Sequence, residues 1–224
     1  MSSVLEELRH LAAICTLALP FAAWGAGVGA FQPTRVSATP DRQEGLAAFA
    51  QIERVLLHPR CVNCHVPDAP LQSDSKHLHY PPVQRGADGR GVAPLQCSTC
   101  HSTQNSPLAR APPGLDANGQ PGWRMPPANM KMTWFGLSGA MLCKVFRESK
   151  TNGGRSLAML QEHMATDHLV AWGWNPGPGR ELPPLDKPVF DEQVSTWIRN
   201  GAPCSEHLIV GSSALSRASK GSQP

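Results

Sequence analysis

Two five-residue stretches of this chain combine residue types and spacing that can do chemistry. They are Cys61-Val62-Asn63-Cys64-His65 and Cys97-Ser98-Thr99-Cys100-His101. Both read C-x-x-C-H, the attachment pattern for c-type haem. Two thiols three positions apart reach the two vinyl groups along one edge of a porphyrin and form thioethers. The histidine that follows then lies under the ring and gives its imidazole to the iron. The expected cofactors are two covalently bound haem c groups. Cys61, Cys64, Cys97 and Cys100 would be the attachment points, and His65 and His101 the proximal metal ligands.

The cysteines admit two other readings. Four thiolates from two C-x-x-C pairs suit a structural zinc ion. The knuckle spacing expected for zinc is about 15–20 residues between pairs. Cys64 and Cys97 lie further apart, and zinc gives no role to a histidine directly after each pair. A thioredoxin-like redox pair is the third reading, but no βαβ pattern surrounds either motif. Cys143 and Cys204 stand apart from the motifs, near predicted helices, and are the candidate disulfide.

A haem iron with histidine on one side can take Met or His on the other, or keep an open position. A Met/His pair raises the reduction potential, a bis-His pair lies lower, and an open position points to catalysis. The candidates for the sixth positions are His77, His79, His163, His168, Met125, Met130 and Met132. Met125 stands before Pro126-Pro127, as in the methionine ligand loop of many small cytochromes, and His79 precedes Tyr80-Pro81-Pro82. His58 lies too near its own motif to fold back onto it.

The elements that must position these residues are helices joined by long loops. Thr39-Pro40-Asp41 reads as a helix start, and Leu46, Phe49, Ile52, Val55 and Leu56 recur at helical spacing up to Leu57. Further helices are expected over 138–149, over 155–168, and from Pro188 to a stop at Gly201. On a helical wheel of 155–168, His168 falls near the centre of the apolar face and His163 at its margin. Residues 66–96 and 102–136 read as loops, with no strand run worth naming. Loops this long in a compact domain need a reason, such as wrapping a ligand.

Composition agrees with this reading. The chain has 224 residues with 20 Gly and 22 Pro, so turns must be many and long elements few. A bulky cofactor and a disulfide are the usual sources of cohesion for such a chain. Trp123, Trp134, Trp172 and Trp174 are candidates to pack on the haem faces. The net charge of +3 carries no long basic run, which argues against nucleic acid as a partner.

The first thirty residues read as an export signal: an apolar run from Leu11 to Ala23, then small residues, with cleavage expected after Ala30. Pro20 and three glycines make that run a poor spanning helix. Cys15 would leave with it, so six cysteines would enter an oxidising compartment, the periplasm. The expected organisation is a signal peptide over 1–30, a dihaem cytochrome c domain over 31–204 and a disordered tail over 205–224. No membrane span is expected in the mature chain.

The chain resembles a family of small exported dihaem proteins known as isoquinoline oxidoreductase subunits, associated with molybdenum hydroxylases of the xanthine oxidase type. The matching stretches are His58 to His65, Pro81 to Gly86, Cys97 to His101, Asn152 to Leu157 and Gly201 to Cys204. The most distinctive runs from His163-Met164 through Trp172-Gly173-Trp174 to Pro176-Gly177-Pro178-Gly179-Arg180. The resemblance implies that His79 and His163 belong to the family pattern, which favours His163 over His168. It also implies an electron carrier, since the chain has no molybdopterin-binding signature of its own. The expected fold is mainly α with long loops, cytochrome c-like, with two haems in one compact domain. The expected function is electron transfer from a dehydrogenase to an acceptor protein. A peroxidase-type haem enzyme with one open iron, and a haem-based sensor, are the alternatives.

Overall fold

Asp41, not Thr39, opens the first helix. Its carboxylate accepts the backbone N–H groups of Gln43 and Glu44, so the two residues before it stay outside the helix. The structure is a computed structural model and describes residues 39–116 and 124–206. The expected export signal, Cys15, Trp123 and the tail beyond residue 206 lie outside the described residues.

Helix α1 (Arg42–Leu56) buries Phe49, Ile52, Val55 and Leu56 on one face. Ile52 and Val55 are fully enclosed, worth about 1.5–3 kcal/mol each. A short helix α2 (Pro59–Val62) follows, and His58 caps it by accepting the Arg60 N–H on Nδ1. Helix α3 (Gly139–Arg147) is capped by Ser138 and α4 (Leu157–Thr166) by Ser156. Helix α6 (Lys187–Arg199) begins after Asp186, one residue before the expected Pro188.

Helices α1 and α6 pack closely, and Gly45 marks how closely. A Cβ there would stand 2.6 Å from Cγ of Pro203, just beyond α6. Cys143 of α3 is disulfide-bonded to Cys204, with Cα atoms 5.6 Å apart. The core joins these helices around Trp197, Phe146, Phe190, Leu142 and Leu160. Among the described residues, no helix is long and apolar enough to cross a membrane.

Two expectations change. The helix expected over 155–168 is broken at Asp167, which ends α4 and caps a separate helix α5 (His168–Trp172). The Asp167 carboxylate accepts the N–H groups of Leu169 and Val170, so the chain restarts in a new direction. The loop over 66–96 also contains two small antiparallel hairpins: β1 (Leu71–Gln72) with β2 (His77–Leu78), and β3 (Gly91–Val92) with β4 (Leu95–Gln96). Strands of two residues are too short to leave an alternating pattern in the sequence.

Candidate functional site

The two C-x-x-C-H stretches fold alike. In each, the histidine N–H returns to the carbonyl of the first cysteine: His65 to Cys61 at 3.3 Å and His101 to Cys97 at 3.0 Å. Each motif is therefore a single helical turn. Residues spaced by three and four share one face of such a turn. Both thiols and the imidazole of each motif are thus presented together, as thioether attachment with axial ligation requires.

Both imidazoles are also oriented by main-chain carbonyls. His65 Nδ1 lies 2.9 Å from the Met132 oxygen, and His101 Nδ1 lies 2.7 Å from the Pro113 oxygen. A carbonyl only accepts, so Nδ1 carries the proton in each ring and Nε2 carries the lone pair. Metal-binding histidines are held in this way by a partner behind the ring. The His65 ring also stacks on Trp134, with centroids 3.4 Å apart and planes within 4°. Burial pushes the His65 imidazole down to about 4 and lowers His101 as well, so both rings are neutral, as a metal ligand must be.

The first motif forms one wall of a cavity of about 230 Å³. Cys61, Cys64, His65, Met125, Met132 and His163 all line it. Trp134, Phe146, Leu160, Trp172 and Trp174 supply apolar wall. A haem edge carries carboxylates, and Arg60, Arg124 and Arg155 stand along the same cavity. Arg60 pairs with Asp74, yet its buried Nε has no protein partner. An apolar slot with thiols, a neutral imidazole and an orphaned guanidinium N–H fits a porphyrin.

The second motif lies at the surface, with Cys100 exposed. Hairpin β3–β4 runs directly into Cys97, whose N–H donates to the Arg90 carbonyl at 2.9 Å. Hairpin β1–β2 runs directly into His79, whose ring centroid lies 6.2 Å from that of His101. Leu78 and Tyr80, on either side of His79, are each 82% exposed, an apolar surface that a porphyrin edge at this motif would cover. The loop behind His101 is fixed by the 176–180 segment: Arg180 donates to the Arg110 and Ala111 carbonyls, and the Arg110 N–H donates to Pro178.

The remaining candidates divide clearly. His77 is exposed in β2, and His168 and Met130 do not line the cavity. The wheel that centred His168 assumed an unbroken helix, and the break at Asp167 removes that geometry. His163 does line the cavity. Its Nδ1 lies 3.3 Å from Asp167 Oδ2, a carboxylate behind the ring. That contact is the main reason the Asp167 carboxyl is held down to about 2. Trp134, Trp172 and Trp174 all reach the cavity.

The other cysteine readings lack the geometry. Among the described residues, no three His, Cys, Asp or Glu side chains converge to hold a metal ion, so the four thiols do not make a zinc tetrahedron. Desolvation pushes the Cys61 and Cys64 thiols up to about 12. A redox-active C-x-x-C pair needs a depressed thiol instead.

Sequence reasoning missed three residues that hold the site. Asn63, inside the first motif, accepts the Leu71 N–H on its carbonyl and donates from its side chain to Ser73, anchoring hairpin β1–β2. Arg85 bonds the carbonyls of Val66 and Pro126. Asp167 backs His163, and an aspartate just before His168 was readable as a helix cap. No protein-family model matches the chain, and no curated protein or solved structure matches it.

Proposed function

We propose that this chain is an exported dihaem c-type cytochrome that carries electrons from a dehydrogenase to an acceptor protein. The observation that carries the reading is the shared geometry of the motifs. Each is a one-turn helix with two reduced cysteines and a histidine whose Nδ1 is pinned to a carbonyl. Cys61, Cys64 and His65 would hold one haem, and Cys97, Cys100 and His101 the other. Haem iron supplies one-electron ferric–ferrous chemistry.

The protein's own work is to hold, orient and insulate. The pinned imidazoles fix the axial direction. The Trp134 stack keeps the His65 ring from turning. The apolar wall of the first cavity keeps water from that centre, while the second motif stands near the surface where a partner protein can approach. The resemblance to the isoquinoline oxidoreductase subunits supports a molybdenum hydroxylase as the dehydrogenase. The leading segment and the oxidising setting of a disulfide-bonded fold support a periplasmic location.

The test is a pyridine haemochrome assay with intact-mass spectrometry on protein matured in an export-competent host. Two haems and four thioether links are expected. Cys61→Ala/Cys64→Ala and Cys97→Ala/Cys100→Ala should each retain one haem. Colourless protein, or a mass matching polypeptide plus zinc, would remove the reading.

A further inference from the structure

Resting on the dihaem reading, we propose that both irons are held between two histidines: His101 with His79, and His65 with His163. No coordination position would then be left for a methionine or an external ligand.

The second centre carries the argument furthest. A metal bonded to two imidazoles at about 2.0 Å each, with each nitrogen roughly 1.1 Å from its ring centre, holds the centroids roughly 6 Å apart. The centroids of His79 and His101 stand 6.2 Å apart. Each ring is anchored from behind by a carbonyl on Nδ1: His79 by Pro81 at 3.0 Å and His101 by Pro113 at 2.7 Å. Nε2 is then the coordinating nitrogen of both rings. Nothing in the sequence neighbourhood forces these two loops together. Hairpin β1–β2 delivers His79, and it is tied to the first motif through Asn63.

At the first centre, His163 faces the same cavity as His65. Its Nδ1 lies 3.3 Å from the Asp167 carboxylate and 3.5 Å from a guanidinium nitrogen of Arg155; donation to the carboxylate, the shorter contact, leaves Nε2 for a metal. Met132 is set behind His65 by its own backbone. Its carbonyl binds Nδ1 of His65, behind the ring, and its sulfur lies beside Gly153. Met125 lines the same cavity and is 2% exposed, so it is the rival ligand that the spectra must separate from His163.

The test uses haem-loaded protein, with haemochrome counting as a separate readout. Electron paramagnetic resonance and near-infrared magnetic circular dichroism distinguish bis-His, His/Met and high-spin iron. The parent should show two low-spin bis-His haems. His79→Ala and His163→Ala should each keep two haems and turn one high-spin, and added imidazole should return it to low-spin. Met125→Ala and Met132→Ala should leave both signals unchanged. Where an alanine variant loses protein yield, His79→Met or His163→Met should give a His/Met signature at one haem only. A His/Met or high-spin signal in the parent, or unaltered spectra in the His79 or His163 variants, would overturn the proposal. A parent with no haem would instead sink the dihaem reading itself.

Discussion

The guanidinium of Arg85 donates to the carbonyl of Val66 across 2.6 Å, and this bond ties together the chain around the two C-x-x-C-H turns. Val66 directly follows His65. The Arg85 carbonyl accepts the Gly91 N–H at 2.9 Å, and the neighbouring Arg90 carbonyl accepts the Cys97 N–H. The second arm of the guanidinium reaches the Pro126 carbonyl, next to Met125. Arg85 is only 7% exposed, and its bond to Val66 is buried while the one to Pro126 is partly so.

Arg85→Met keeps the length of the side chain and removes its donors. Buried carbonyls left without partners cost about 1–3 kcal/mol each. The Val66 carbonyl is the buried one, and leaving it unpaired should lower Tm by roughly 2–12 °C for a chain of this size. Thermal melts of the haem-loaded protein by circular dichroism check this. A variant melting within about 2 °C of the parent would mean that Arg85 does not hold the motifs together.

The Cys143–Cys204 bond closes a loop of 61 residues between α3 and the segment just beyond α6. In the chain-entropy model such a loop gives about 4 kcal/mol. Cys143→Ser/Cys204→Ser should therefore lower the urea midpoint by an amount matching a loss of about 2–4 kcal/mol. The haem spectrum should stay unchanged, because neither residue lines the cavity. A spectral change without a stability loss would place the bond in the site rather than the scaffold.

What could be read from the sequence was what is local. C-x-x-C-H is a one-turn signal, so Cys61 to His65 and Cys97 to His101 were legible without the fold. The periodic apolar residues of α1 and α6 were legible for the same reason. His79 and His163 stood among several candidate histidines and methionines, and only the resemblance favoured them over the rest. Their partners were not legible at all, because Pro113, Pro81 and Met132 act through backbone carbonyls that any residue possesses. The apolar pattern continues across Asp167 and outweighed the cap signal that an aspartate carries at that point. That pattern misplaced His168, since a wheel drawn through a break rotates every later residue.

Asn63 should matter to the second centre although it lies in the first motif. Its side chain donates to Ser73 at 2.9 Å in the turn of hairpin β1–β2, whose far end leads into His79. Asn63→Leu removes that bond while both haem attachment sequences remain. The expected result is full haem content with a high-spin fraction at one haem, detected by electron paramagnetic resonance. Wholly low-spin iron in this variant would mean that the hairpin positions His79 without Asn63.

Asp167 offers a way to separate charge from structure. Asparagine caps helices as well as aspartate does, so Asp167→Asn should preserve α5 and leave Tm within about 1 kcal/mol equivalent of the parent. It removes the negative charge behind His163. A less electron-rich imidazole stabilises ferric iron less, so the potential of one haem should rise while the other holds. Spectroelectrochemical titration resolves the two. Equal shifts of both haems, or none, would contradict a place for His163 at the first iron.

His58 sets a pH dependence of stability apart from the proposed haem ligands. Its neutral Nδ1 accepts the Arg60 N–H at 3.3 Å and so caps α2, the helix that enters the first motif. Burial, with help from the Arg60 charge, holds its pKa below the ordinary value of 6.5. The folded protein therefore binds this proton less readily than the unfolded chain. The sign follows: between the folded pKa and 6.5 the unfolded state holds more protons, so stability rises with pH. The contribution is complete above about pH 7 and is lost as pH falls through the folded value. His58→Asn supplies an uncharged cap and should flatten that part of the Tm-against-pH curve below about pH 7. His58→Ala should cost about 1 kcal/mol at neutral pH. Parallel curves for the parent and His58→Asn would show that the imidazole does not titrate against the cap.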